Sequence, residues 1–128
     1  MQYLLDTHTL LWFLEGNEQL PDHLREEIEN TNNACFISIA SLWEISIKLT
    51  LGKLTLQFPF SKLSSYLEEN TIELLPINFI HPEQLGQLDL HHRDPFDRII
   101  IAQGITENLT VLTRDEHFNP YPVNQFWK

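Results

Sequence analysis

Apolar residues along this chain fall in short runs, most of them closed by a carboxylate, a glycine or a proline. Residues 2–6 stay apolar from Tyr3 until Asp6 ends the run, which predicts a short strand. Leu10, Leu11, Trp12, Phe13 and Leu14 predict a helix over 8–15, with Gly16 and Asn17 as its stop. A second helix is expected over 21–29, with Pro21 in its first turn and acids near its start. Residues 34–38 read as a strand buried on both faces. The stretch 38–52 is ambiguous: near-alternation of apolar residues favours a strand, whereas its length and the closing Gly52 favour a helix, the reading adopted. An extended piece over 53–57, a helix over 59–70, a strand over 71–78 and a short helix over 81–88 follow. Asp94 is a good N-cap and Pro95 suits the first helical position, so Ile99 to Ala102 become a buried helical segment. A strand over 109–113 closes on Arg114 and Asp115, and residues 121–127 offer a last short strand. Among these runs Trp12, Phe13 and Trp43 sit at helical spacing beside leucines, which predicts core positions rather than base-stacking surfaces.

Strands alternating with helices imply βαβ units, hence an α/β fold whose parallel sheet is covered on both faces. At 128 residues, without internal repeats or a linker, one domain over 1–128 is expected. No apolar run reaches the length of about 18 residues that a membrane span needs, and residues 1–6 lack the basic start of a signal peptide. Cys35, the single cysteine, lies among apolar neighbours and excludes an internal disulfide or a cysteine-based zinc site. A cytoplasmic protein is expected.

Charge narrows the chemistry. Eighteen acids against eight lysines and arginines give a formal charge of −10, which disfavours phosphate binding through a broad basic surface. Ligands of parallel sheets bind beyond the carboxyl ends of the strands, so the acids placed there matter most. Asp6 closes the first strand and Asp115 follows a later one, which puts both on one rim. Glu44 lies in a helix too apolar to be a solvated face, and Asp97 in the first turn of the Ile-rich helix. Like charges ~4 Å apart repel by about 4 kcal/mol at an effective dielectric near 20, so such a rim calls for a cation. An all-carboxylate set suits a hard ion, Mg²⁺ or Mn²⁺. Each acid also has a structural reading: Asp94 with Asp97 as an N-cap pair, Asp6 and Asp115 as turn caps, Glu44 as a partner of Lys48. Lys48, Arg93, Arg98 and Arg114 adjoin these acids, either to contact substrate phosphates or to pair with the acids themselves.

Four segments carry a resemblance. Leu4-Leu5-Asp6-Thr7-His8, then Ser41-Leu42-Trp43-Glu44-Ile45, then Arg93-Asp94-Pro95-Phe96-Asp97-Arg98 with its Ile-rich continuation, then Val111-Leu112-Thr113-Arg114-Asp115 together resemble PIN-domain proteins. The chain looks most like the VapC-type ribonuclease toxins of bacterial toxin–antitoxin pairs. The resemblance implies a three-layer α/β/α fold around a parallel sheet of about five strands. It implies Mg²⁺- or Mn²⁺-dependent cleavage of RNA, a cognate antitoxin and a homodimer. Matched by position, Asp6, Glu44, Asp97 and Asp115 form the acidic site, with Asp6 and Asp97 as direct metal ligands. Glu44, Asp94 and Asp115 are further ligand candidates.

Competing readings fit less well. A metallophosphoesterase needs Gly-Asp-x-x-Asp and Gly-Asn-His segments, which do not occur. A haloacid-dehalogenase phosphatase needs an acid where His8 stands, and a receiver domain needs an adjacent acidic pair near the first strand. His8, His91, His92 and His117 lack the spacing of a zinc site and read as rim or surface residues. The alternative that stands is a catalytically silent domain of the same fold that only binds a protein partner.

Overall fold

Alternating side-chain direction explains how strands of two to five residues cement this molecule. Along β1 (Gln2–Leu5), Tyr3 and Leu5 point into one apolar cluster and Leu4 into another. β2 (Ala34–Ser38) repeats the division with Cys35 and Ile37 opposite Phe36, and β4 (Thr110–Leu112) with Leu112 opposite Val111. With β3 (Ile72–Leu75) and β5 (Gln125–Phe126) they form one sheet in the order β3-β2-β1-β4-β5, every pairing parallel. The computed structural model describes all residues, Met1–Lys128.

The helices cover both faces. Helices α1 (Thr7–Glu15), α2 (Asp22–Glu29), α3 (Ile39–Thr50) and α4 (Leu63–Glu69) contribute to the larger core cluster, and α6 (Pro95–Thr106) to the smaller one. The short α5 (Ile80–Leu85) lies beside α6, tied to it by His81, whose Nε2 is 2.7 Å from Glu107. The result is the expected α/β/α layering about a five-stranded parallel sheet. No helix is long and apolar enough to cross a membrane.

Capping sets the helix starts. Asp6 caps α1, Ser38 caps α3 and Asp94 caps α6, each side chain accepting a backbone N–H of the following turn. For the ambiguous 38–52 stretch this cap decides in favour of the helix. Gly104 has a separate reason: a Cβ there would lie 2.7 Å from a Val123 methyl and 3.1 Å from one of Val111, so α6 packs on the sheet only because the residue is small.

Some expectations need correction. Residues 53–57 form no extended element, and the helix over 59–70 is split into a 3-10 turn, Phe60–Lys62, and α4. The strand over 71–78 shrinks to Ile72–Leu75, because Thr71 has φ 55° and Pro76 cannot donate to a ladder. Trp43 is not core: it is 62% exposed and packs edge-on against Phe96 at 5.3 Å. Trp12 is only partly buried, at the margin of the strand-end region described next.

Candidate active site

The sheet order makes β1 central, with β2 on one side and β4 on the other. Such a reversal of strand order opens a crevice at the carboxyl ends of the two neighbouring strands. Asp6 follows β1 directly, and Thr113 to Asp115 follow β4. Glu44 sits in the second turn of α3, which springs from the end of β2, and Asp94 and Asp97 occupy the start of α6.

Hydroxyl groups connect Asp6 to its neighbours. Asp6 is 7% exposed; Oδ1 accepts the Thr9 N–H at 2.8 Å and Oδ2 accepts the Thr113 hydroxyl. Burial pushes the Asp6 carboxyl above its ordinary range, against the pull of the Thr113 and Thr9 bonds and of His8. The same Thr113 oxygen accepts the Asp115 N–H at 3.0 Å. Asp115 accepts the His117 N–H at 2.9 Å and lies 2.8 Å from His117 Nδ1. Its partial burial raises the carboxyl, but the His117 bonds and the charges of His117 and His92 outweigh that and lower it.

Glu44 and Asp97 make up the other half. Glu44 is 3% exposed, accepts the Thr7 hydroxyl at 2.7 Å and pairs with Lys48 Nζ at 2.7 Å, the only lysine or arginine ion pair in the molecule. Burial lowers the Lys48 ammonium, yet Glu44, with Asp94 and Asp97 behind it, raises it overall. Asp97 Oδ2 lies 2.8 Å from His92 Nε2. Burial first, then the charges of Asp94 and Glu44, lift the Asp97 carboxyl from 3.8 to about 6 against the stabilising His92 bond. Ligand atoms of His92, Asp94 and Asp97 lie within 4.8 Å of one another. The His92 ring stacks on His117 at 4.5 Å and 16°, so the two imidazoles span from Asp97 to Asp115.

Two groups therefore emerge from the acids singled out in the sequence. Asp6 and Asp115 share Thr113 and line one pocket, whereas Glu44, Asp94 and Asp97 act on one another electrostatically. Thr7, next to Asp6 and bonded to Glu44, joins the groups on one side and the imidazole stack on the other. Asp6, Asp94 and Asp115 also cap the turns that follow them, so their structural and site readings coexist. Asp97 does not complete a cap; its carboxylate turns to His92. Of the neighbouring bases, Arg98 donates to the carbonyls of Leu85 and Leu88, Arg114 donates to Gln19 at 2.7 Å, and Arg93 is exposed. None of these arginines pairs with an acid.

From the sequence His92 reads as a rim or surface histidine without a part in the acidic site, and Thr7 and Thr113 have no role assigned. The site is accordingly not purely carboxylate: an imidazole reaches Asp97 across the loop that precedes α6. His92 and Asp97 are five positions apart across the junction of a loop with α6, a spacing with no period to signal it. The hydroxyls carry no charge and sit in threonines common to any strand end.

Whether this set fits a divalent cation is settled by its charge. Asp6 and Asp97 are held above their ordinary range, and Lys48 alone is paired to the carboxylates by a permanent positive charge. Oxygen donors from Asp6, Glu44, Asp94, Asp97 and Asp115 suit a hard ion, and the single imidazole is compatible with Mn²⁺. The residues fit.

Comparison with known proteins agrees with the layering. The PIN domain family model matches residues 3–123. A chain of VapBC2 from Rickettsia felis, solved bound to a promoter DNA fragment, superposes with a TM-score of 0.74 at 19% identity, covering 100% of both chains. DNA-bound VapBC from Salmonella typhimurium gives 0.72 at 20% identity, covering 100% of this chain and 99% of that one. VapBC-1 from nontypeable Haemophilus influenzae gives 0.67 at 16% identity, with 98% and 97% covered. No curated protein matches the chain in sequence.

Proposed function

We propose, from the premise that this chain belongs to the PIN-domain family, that it is a Mg²⁺- or Mn²⁺-dependent endoribonuclease and the toxin of a toxin–antitoxin pair. The observation that carries the reading is geometric: ligand atoms of His92, Asp94 and Asp97 converge within 4.8 Å of one another, on the rim of the parallel sheet that also holds buried Glu44 and Asp6. A protein that only bound a partner would gain nothing from confining repelling carboxylates there. VapBC complexes among the similar folds support an antitoxin partner, and a homodimer is part of the same proposal.

A bound divalent ion supplies Lewis acidity that makes a water nucleophilic and offsets charge on a phosphate oxygen. Asp6 and Asp97 would hold it, with Glu44, Asp94 and Asp115 as further ligands. Thr9 and Thr113 fix the Asp6 carboxylate, leaving one lone pair of each oxygen free toward the crevice. Thr7 and Lys48 orient Glu44, whose carboxylate then positions or deprotonates the attacking water. Lys48 and the exposed Arg93 are the bases available to substrate phosphates.

The test is degradation of total RNA and tRNA by purified protein with Mg²⁺ or Mn²⁺. Cleavage is expected, abolished by chelator and by Asp97→Asn in a folded variant. Intact RNA with the unsubstituted protein and either metal would leave a protein-binding module as the function.

A further inference from the structure

Between the ends of β1 and β4 lies a pocket of about 270 Å³ lined by Asp6, His8, Trp12, Arg114 and Asp115. Its one apolar wall is the Trp12 indole, held by an edge-on contact with Trp127 at 6.0 Å and a tilted one with His8 at 5.8 Å. The Arg114 guanidinium lies 4.6 Å from the Trp12 ring centroid and is tethered to Gln19 at 2.7 Å.

We infer that this pocket is a nucleobase subsite, with Trp12 as its stacking surface and Arg114 as its hydrogen-bond donor. The inference rests on the RNA-cleaving reading and adds to it the side chains of this chain that hold a base. Asp6 and Asp115 also line the pocket, and two carboxylates repel a phosphate that enters without a cation. A flat, uncharged group meets no such barrier. The volume of about 270 Å³ is ample for one base. Indole and guanidinium both offer planar faces, and the guanidinium also offers donors to carbonyl and ring-nitrogen acceptors of a base. A base inside an A-form helix exposes neither face, so only an unstacked one enters. The Asp6 and Asp115 carboxylates lie in the same pocket, which sets the base beside the bond to be broken.

The experiment is steady-state cleavage of a single-stranded RNA oligomer by the full chain with Mg²⁺, alongside quenching of tryptophan emission by nucleoside monophosphates without turnover. Trp12→Leu is expected to raise KM about 5- to 100-fold, the range that base–aromatic stacking supplies, and to lose the quenching. Trp12→Phe should recover most of both, and Arg114→Gln, an exposed change that leaves the core intact, should raise KM several-fold. A KM unmoved in Trp12→Leu and Arg114→Gln overturns the inference, as does Trp12→Phe failing like Trp12→Leu. If the unsubstituted protein cleaves no RNA, the functional reading falls separately. Quenching that Trp12→Leu abolishes then upholds the subsite, and no quenching overturns it.

Discussion

Replacing Asp97 by asparagine should make the metal-free protein more stable while destroying its site. A carboxyl raised on folding contributes stability that is present below its unfolded pKa and lost as pH rises through the folded one. For Asp97 that window runs from 3.8 to about 6. At ~1.4 kcal/mol per pH unit, holding Asp97 ionised above this window costs the fold about 3 kcal/mol. Asparagine removes the charge among Asp94 and Glu44 and keeps an acceptor for His92, forfeiting about 1 kcal/mol of charge assistance. The net gain of about 2 kcal/mol should raise Tm by roughly 5–10 °C near pH 8 in chelator, and should vanish near pH 4, where Asp97 is protonated anyway. With millimolar Mg²⁺ or Mn²⁺ the order should invert. A ligand at 100 times its Kd adds about 2.7 kcal/mol to a protein that binds it only when folded, and the variant gains none of that. Thermal melts of both proteins, with chelator and with metal, at the two pH values, decide it. A variant that melts below the parent in chelator near pH 8 would refute the electrostatic argument, and equal metal-induced gains in both would remove Asp97 from the ligand set.

Thr113→Val strips Asp6 Oδ2 of its donor and the Asp115 N–H of its acceptor, so urea denaturation should show a loss of about 1–3 kcal/mol; an unchanged midpoint would show that water replaces the hydroxyl. Gly104→Ala should destabilise by about 1–3 kcal/mol through contact with Val123 and Val111, although alanine in an unconstrained helix gains about 1 kcal/mol over glycine. A stabilised Gly104→Ala would place the chain around Val123 farther from α6 than it is here. Removing the His117 ring in His117→Ala takes away its side-chain bond and charge but keeps the backbone N–H, the larger support of Asp115, so the carboxyl should rise only part of the way in an NMR titration; a static value would give the lowering to the backbone bond alone. Burial, reinforced by the charge of Glu27, pushes the Cys35 thiol up to about 11, so it should resist a thiol reagent at neutral pH until urea unfolds the chain. Rapid labelling of the native protein would contradict that burial.

What the sequence makes legible here is the part written in one-dimensional order. A strand that ends at Asp6 and another followed by Asp115 must present both acids at the same rim once the sheet is parallel, and the βαβ alternation makes it parallel. Asp94 with Pro95 marks the start of α6 for the same local reason. What stays hidden is set by contacts between distant segments. Trp43 looks like a core residue from its neighbours on α3, yet its exposure follows from α6 arriving edge-on with Phe96 rather than covering it. Trp12 leaves the core because Trp127 and Arg114 from the far end of the chain meet it at the rim. His92 reaches Asp97 only through a loop whose path no periodicity encodes.

The same division explains the electrostatics of the site. Local capping places Asp6, Asp94 and Asp115 at the starts of turns whose N–H groups favour their charge, and by itself that stabilises each of them. Tertiary burial then works against two carboxylates of the rim, raising Asp6 and Asp97, while half-buried Asp115, with its two imidazole neighbours, is lowered. Opposite shifts within one constellation mean that the acids are not interchangeable. The buried, raised pair gains most from a cation, since binding one relieves their desolvation. Asp115, already stabilised by His117 and partly open to solvent, gains least and is free to face substrate instead. The order of metal dependence expected on substitution is therefore Asp97 and Asp6 first and Asp115 last.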